Sequence, residues 1–126
     1  MAIDTIETTF NKTALMDIHT IAKELNAALG PTLVAVLAGV RDRKLPAAWA
    51  KPDGTDPRPA SEAKLKAAYR VWLALAAKHG DAIARSWFIG LNPLLEETAP
   101  VEALNAGRSR EVIEAARAFL DDNVGS

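Results

Sequence analysis

Cysteine is absent from this 126-residue sequence, which excludes both a disulfide framework and a thiolate metal site. The only histidines are His19 and His79, and neither lies at the spacing of a zinc-binding motif. The sequence also contains no glycine-rich phosphate loop and no nucleophile elbow. We therefore predict a protein that is not an enzyme and that has no catalytic residues, metal site or cofactor of its own.

Long hydrophobic runs are missing as well, and no segment approaches the roughly 20 apolar residues of a membrane span. The first ten residues contain acids instead of the basic cluster that begins a signal peptide. These two absences predict a cytoplasmic protein.

Hydrophobic residues make up 49% of the chain, which is enough for one core in a domain of this length. The net charge is only −1, yet charge is distributed unevenly along the chain. Residues 1–30 carry −2, residues 31–90 carry +5 and residues 91–126 carry −4. A basic middle between acidic ends predicts two surfaces that bind different partners.

The N-terminal residues 1–13 show weak hydrophobic periodicity, and we predict a loose arm there. From Ala14 to Leu29 apolar residues recur every three or four positions, which predicts one amphipathic helix. We expect Gly30 and Pro31 to end it. Its predicted apolar face consists of Leu15, Ile18, Ala22, Leu25 and Leu29.

Residues 33–38 (LVAVLA) form a short apolar run whose length fits a strand or a buried helix. We favour a helix because a glycine-containing turn and a second short helical run at 43–50 follow, in the order of a helix-turn-helix. Pro46 falls in this second helix and is compatible with it only in the first turn. Four basic side chains are predicted to project outward and bind DNA: Arg41, Arg43, Lys44 and Lys51.

The alternative for this basic face is a solvated surface that binds no DNA. The outward residues include Asp42 but no asparagine or glutamine for bidentate contact with adenine. Contact with DNA phosphates alone also stays open.

A loop with three prolines, residues 51–59, precedes a long helix predicted at 62–79. We expect Ser61 to cap that helix, and a further helix to follow at 82–89. Three side chains of this further helix are predicted to be buried: Ile83, Trp87 and Phe88. Together the segments predict an all-α fold, a compact bundle of six or seven helices with an embedded helix-turn-helix-like pair.

The C-terminal third contains several residues that typically end a helix or begin a new one. Asn92 and Pro93 interrupt the chain, and Pro100 is predicted at the first turn of a short helix that Gly107 ends. Ser109 is then predicted to cap a final helix. The sequence thus predicts three helical pieces joined by two tight turns.

The order of residues in this part of the chain resembles the toxin-binding domain of the Xre/MbcA/ParS antitoxin family. The family pattern is an ordered series of tryptophan, Asn-Pro, leucine, proline, an acidic residue with a nearby leucine, glycine and valine. The matching positions here are Trp87, Asn92, Pro93, Leu95, Pro100, Glu102, Ala103, Leu104, Gly107 and Val112. The resemblance covers the last third of the chain closely and the middle loosely.

The resemblance implies an antitoxin of a type II toxin–antitoxin system, whose partner is a RES-domain toxin that consumes NAD or ADP-ribosylates proteins. It implies steric occlusion of that toxin, homo-oligomers or toxin–antitoxin hetero-oligomers, and repression of the antitoxin's own operon. In some members of the family the antitoxin's C-terminal end enters the toxin's active-site cleft. The residues predicted to bind the toxin are Asn92, Pro93, Leu95, Pro100, Leu104, Gly107, Val112, Phe119 and Leu120.

On this interpretation the chain divides into a loose arm at 1–13, a helix-turn-helix-containing region at 14–85, and a toxin-binding region with its tail at 86–126. Two other functions stay open. One is a DNA-binding transcriptional regulator of phage or mobile-element origin without a toxin partner. The other is an interaction module whose acidic C-terminal helix binds another protein.

Overall fold

The computed structural model describes residues 5–121, and that range contains α-helices, one 3-10 turn and no strand. The all-α fold predicted from the sequence is therefore confirmed. In chain order the elements are α1 (Thr5–Ala14), α2 (Ile18–Leu29), α3 (Pro31–Ala38), α4 (Leu45–Trp49), α5 (Pro59–His79), α6 (Asp81–Ile89), the 3-10 turn (Pro93–Leu95), α7 (Pro100–Asn105) and α8 (Ser109–Asp121).

Helix α5 lies at the centre of the bundle and contacts α1, α2, α3, α6, α7 and α8. Pro59 occupies its first turn, where a missing N–H costs little. Glu62 in the first turn and Lys78 in the last turn both have charges that favour the helix dipole. The largest side chains that α5 buries are Leu65, Tyr69, Val71, Trp72 and Leu75. Most of the stability of such a helix comes from burying this apolar surface.

The predicted loose arm is wrong for the part of it that the structure describes. Residues 5–14 form α1, which packs on α5 and buries Ile6 completely. Thr9 is also buried, and its hydroxyl donates a hydrogen bond of 2.9 Å to the carbonyl of Ile6. Because a threonine can satisfy its hydroxyl within its own helix, it takes a core position that hydrophobic periodicity does not count. Residues 1–4 lie outside the described range.

The predicted helix from Ala14 to Leu29 is interrupted, since α1 ends at Ala14 and α2 begins at Ile18. Leu15 was predicted on the apolar face, and this is wrong, because it lies in the connecting turn and is 91% exposed. The N–H of Met16 donates to the carbonyl of Thr13 at 3.1 Å and closes this turn. Three of the other predicted positions are buried: Ala22, Leu25 and Leu29.

Residues 33–38 are helical, as predicted, within α3. Pro46 lies in the first turn of α4, which is the one place where the sequence allowed it. Asn26 of α2 donates a hydrogen bond of 2.9 Å to the carbonyl of Pro46 and holds α4 against α2. However, α4 has only five residues, and residues 39–44 connect it to α3. The connection exceeds the turn of about three or four residues in a standard helix-turn-helix.

Ser61 does not cap α5, because the helix already begins at Pro59 and Ser61 is buried in its first turn. Its Oγ donates a hydrogen bond of 2.8 Å to the carbonyl of Ala38, at the end of α3. Helix ends leave their last carbonyls without an intrahelical donor, and Ser61 satisfies one of them. Ser61 therefore joins α3 to α5.

A single hydrophobic core contains side chains from α1 through α8. The predicted division between residues 85 and 86 falls inside α6 (Asp81–Ile89), so it does not separate two folding units. The C-terminal helices instead pack on the rest of the bundle: α7 contacts α3, and α8 contacts α5. The C-terminal third of the chain is thus part of the same helical bundle.

Candidate protein-interaction site

An open apolar groove of about 560 Å³ lies between α6, the turn at residues 90–94 and α8. The larger side chains that line it are Ile83, Trp87, Leu91, Asn92, Leu94 and Phe119. Apart from Ile83, these residues belong to the segment whose sequence resembles a toxin-binding domain. We name it the α6–α8 groove.

The rim of the α6–α8 groove exposes large hydrophobic side chains. Leu91 is 72% exposed, Leu94 is 64% exposed and Ile83 is 49% exposed. Ile89, at the end of α6, is 51% exposed. Elsewhere in the described chain the exposed large hydrophobic residues are only Leu15 and Val36, so exposure of this kind is concentrated here. Clustered exposed apolar side chains are typical of surfaces that bind another protein.

The prediction that Ile83 is buried is wrong. Helix α6 buries Ala84 and Phe88, which are four positions apart and therefore share one face. Ile83 precedes Ala84 by one residue, which rotates it by about 100° away from that face. Phe88 is fully buried, as predicted, while Trp87 is only partly buried at the groove.

Asn92 organises the turn that forms one rim of the groove. Its Oδ1 accepts a hydrogen bond of 2.9 Å from the N–H of Leu94, and its carbonyl accepts the N–H groups of Leu95 and Glu97, both at 2.9 Å. Its own N–H donates to the carbonyl of Thr98 at 3.3 Å and closes the turn. This geometry directs Leu94 outward and Leu95 into the core.

The two residues after the 3-10 turn have left-handed backbones, with φ of +59° at Glu96 and +62° at Glu97. A residue with a side chain loses about 1–2 kcal/mol in this region, so other contacts must hold the turn. Arg108 supplies one, since its Nη2 lies 3.3 Å from Oε1 of Glu96. Arg108 also donates to Glu111 from Nε at 2.7 Å, and this hydrogen bond raises the pKa of Arg108. The arginine thereby ties the turn to the start of α8.

Aromatic rings connect the groove to the core. The ring centroid of Phe88 lies 6.4 Å from that of Trp72 in α5 and 5.5 Å from that of Trp87, and the rings of Phe88 and Trp87 meet edge to face. Trp87 is also 6.4 Å from Phe119 of α8, whose ring is 4.9 Å from that of His79. Each such pair stabilises a protein by about 0.5–1.5 kcal/mol. The rings therefore fix α5, α6 and α8 relative to one another, and the groove between α6 and α8 is formed before any partner arrives.

The nine residues predicted to bind a toxin fall into two groups. Five are buried in the chain's own core: Leu95, Pro100, Leu104, Val112 and Leu120. A side chain that its own core encloses cannot contact a partner in this conformation, so these five are corrected from contact residues to residues that position the helices. The accessible ones are Asn92, Pro93, Gly107 and Phe119.

Three of the accessible residues line the groove, namely Asn92, Pro93 and Phe119. Gly107 does not; it ends α7 with a left-handed backbone, φ +84°, as its position in the sequence predicted. The sequence leads one to expect Leu94 to pack inward together with Leu95, and this is wrong for Leu94, which is 64% exposed. The sequence interpretation did not single out Leu91 as a contact residue. The predicted tail at residues 122–126 lies outside the described range.

The four residues predicted to bind DNA are all exposed around α4: Arg41, Arg43, Lys44 and Lys51. Asp42 lies among them, and its Oδ1 accepts a hydrogen bond of 2.9 Å from the N–H of Lys44. This is the local turn that aspartate typically forms, so the acid shapes the connection between α3 and α4. Helix α4 itself turns Pro46 and Trp49 into the core, which leaves few of its positions for base contacts.

Among the described residues no group of three or more His, Asp or Glu side chains is placed to hold a metal ion. No helix within 5–121 combines the length and apolar character needed to cross a membrane. Comparisons with protein-family models, with curated proteins and with solved structures found no match to this chain.

Proposed function

We propose that this protein is an antitoxin that binds a RES-type toxin through the α6–α8 groove and neutralises it by steric occlusion. The observation that carries the proposal is the exposed apolar cluster of Ile83, Leu91 and Leu94 on the rim of the groove. Leu91 and Leu94 lie in the segment that resembles the toxin-binding domain of Xre/MbcA/ParS antitoxins, and Ile83 lies just before it. An exposed apolar surface supports binding to another protein, and the resemblance suggests that this partner is a RES-type toxin.

The expected contribution of the cluster to binding follows from its exposure. Burying a whole leucine side chain contributes about 1.5–3 kcal/mol, and both Leu91 and Leu94 expose well over half of theirs. A partner that covers both leucines thus gains about 2–4 kcal/mol, which corresponds to a factor of roughly 30 to 1,000 in Kd.

Charge supports a basic partner surface. Residues 91–126 carry a net charge of −4, and both Glu96 and Glu97 are exposed beside the groove. An enzyme that binds NAD or ADP-ribose needs cationic groups near the phosphates. An acidic antitoxin surface is complementary to such a site, and occlusion requires no cofactor in the antitoxin.

The first test is whether a RES-type reading frame lies next to this gene, and the second is co-expression of this protein with such a RES-type toxin. We expect the two proteins to co-purify and the antitoxin to restore growth. Leu91→Asp combined with Leu94→Asp should abolish both effects. Leu15→Asp is the matched control, because Leu15 is 91% exposed but lies in the turn between α1 and α2. Failure of the wild-type pair to co-purify, or equal loss in the control, would refute the proposal.

A second candidate function, binding of DNA, rests on the exposed basic corner of Arg41, Arg43, Lys44 and Lys51. Because α4 is short, contact with phosphates fits this corner better than base readout. Binding to the gene's upstream DNA should then weaken steeply as salt rises. Arg43→Glu with Lys44→Glu should abolish it, while Arg110→Glu, on α8, should not. Binding that survives the double reversal excludes the corner.

A further inference from the structure

His19 joins the first turn of α2 to the loop between α4 and α5, outside the α6–α8 groove. Its side chain is only 13% exposed. Its Nδ1 lies 2.7 Å from the carbonyl oxygen of Trp49, and its Nε2 lies 2.9 Å from Oδ1 of Asp56. Both ring nitrogens therefore face oxygen atoms that only accept hydrogen bonds.

The protonation state of His19 decides whether both contacts can exist. A neutral imidazole carries one N–H, whereas the imidazolium carries two. If the ring is neutral and Nδ1 keeps its proton for the carbonyl of Trp49, the lone pair of Nε2 points at the carboxylate of Asp56. That arrangement is repulsive, so the two contacts exist together only when the ring is charged.

We propose that His19 is a proton-dependent latch, whose imidazolium holds Asp56 against α2 and releases it when the ring loses its proton. We expect the neutral ring to keep its proton on Nδ1, because the side chain of Asp56 is 77% exposed and water can replace the histidine there. The hydrogen bond to Trp49 is then weaker in the neutral state than in the charged state, because a charged donor binds a carbonyl more strongly. The latch requires neither a toxin nor DNA.

The surrounding charges act on His19 in both directions. Asp17, which precedes α2, and Asp56 favour the charged ring, while Lys23 and Lys51 line the same cavity and oppose it. The hydrogen bond to the carbonyl of Trp49 is the largest influence and raises the pKa of His19, and burial partly offsets it. The pKa therefore lies above its usual 6.5. The latch is fully closed below that usual value and opens as pH rises through the folded-state pKa.

Two fixed points limit the part of the loop that the latch controls. The N–H of Gly54 donates to the carbonyl of Lys51 at 2.9 Å, and a side chain at Gly54 would collide with the backbone of Ala48. Pro57 is buried on the other side. The segment that opening frees is thus Thr55 with Asp56. Opening also removes one positive charge beside Lys51, so this face of the protein binds anions less well at high pH.

The experiment is an NMR titration of the full-length chain from about pH 5.5 to about pH 9, which spans histidine titration. Long-range proton–nitrogen spectra follow the His19 ring, and amide spectra follow the loop. We expect a His19 pKa above 6.5, and amide shifts of Thr55 and Asp56 with the same midpoint. Backbone order parameters of these two residues should fall at high pH, while those of Ala50 stay constant.

Two loop variants make the test specific. Asp56→Asn should lower the pKa of His19 and abolish the amide transition of Thr55. Asp53→Asn is the matched control, because Asp53 is exposed in the same loop and makes no described contact. A transition that persists in Asp56→Asn, an equal effect of Asp53→Asn, or loop amides that ignore the titration of His19 would overturn the latch.

Discussion

Replacing Leu95 with alanine should unfold this protein far more readily than the same change at its neighbour Leu94. Leu95 is fully buried, and the change removes three carbon atoms, which is worth about 2.4 kcal/mol at about 0.8 kcal/mol per buried group. The cavity that remains raises the cost to about 2.5–5 kcal/mol. Leu94 is 64% exposed, so only about a third of the same surface is lost, and the cost stays below about 1 kcal/mol.

Urea titration and thermal melting measure this difference directly. For a chain of this length 1 kcal/mol corresponds to about 4 °C in Tm, so Leu95→Ala should lower Tm by roughly 10–20 °C and Leu94→Ala by at most about 4 °C. In a binding assay the order should reverse, because at a temperature where both variants are folded only Leu94→Ala removes a partner contact. Equal destabilisation by the two variants would show that the turn at Asn92 does not separate an inner from an outer leucine.

The other expected effects concern backbone strain and one buried hydrogen bond. Glu97→Gly should raise the free energy of unfolding by about 1 kcal/mol, because glycine adopts a left-handed backbone without strain. Glu102→Gly, at an exposed position of α7, should lower it by about 1 kcal/mol. If urea titration gives the same sign for both variants, the backbone at Glu97 is not strained. Ser61→Ala should lower the free energy of unfolding by about 1–2 kcal/mol, since the carbonyl of Ala38 loses its donor. Ser86→Ala, at an exposed position of α6, should change the free energy of unfolding by less than about 0.5 kcal/mol. If the two serine variants melt at the same temperature, the hydrogen bond of Ser61 does not stabilise the contact between α3 and α5.

Helices whose ends are marked by proline or glycine could be predicted from the sequence. Pro100 starts α7 and Gly107 ends it, because proline is favoured in a first turn and glycine tolerates the left-handed backbone at a helix end. Residues 62–79 are helical as predicted, although α5 begins three residues earlier, at Pro59, because Ser61 is not its cap. These signals are local, so a single sequence contains them.

Features that depend on packing could not be read in this way. Helix α1 is held against α5 by the buried Ile6, and it also buries Thr9, whose hydroxyl bonds within the helix, so its packing depends on α5. The roles of Ser61 and His19 depend on partners that lie 23 and 30 residues away along the chain, at Ala38 and Trp49. A pattern within a short sequence window cannot show such pairs. For this reason Ser61 was predicted as a helix cap, and His19 was not predicted to hold a loop.

The candidate site shows a related limit that bears on partner choice. Half of the residues that match the antitoxin pattern, among them Leu95, Leu104 and Val112, are buried and help to fix the positions of α7 and α8. The side chains that a partner would touch first, Leu91 and Leu94, lie between or beside the matching positions. The pattern therefore specifies a scaffold, and the exposed leucines that it leaves free are where binding energy for one particular partner would arise. Replacing Leu91 and Leu94 with other side chains should accordingly change which partner is bound while leaving the fold intact, and replacements that unfold the protein would contradict this division of roles.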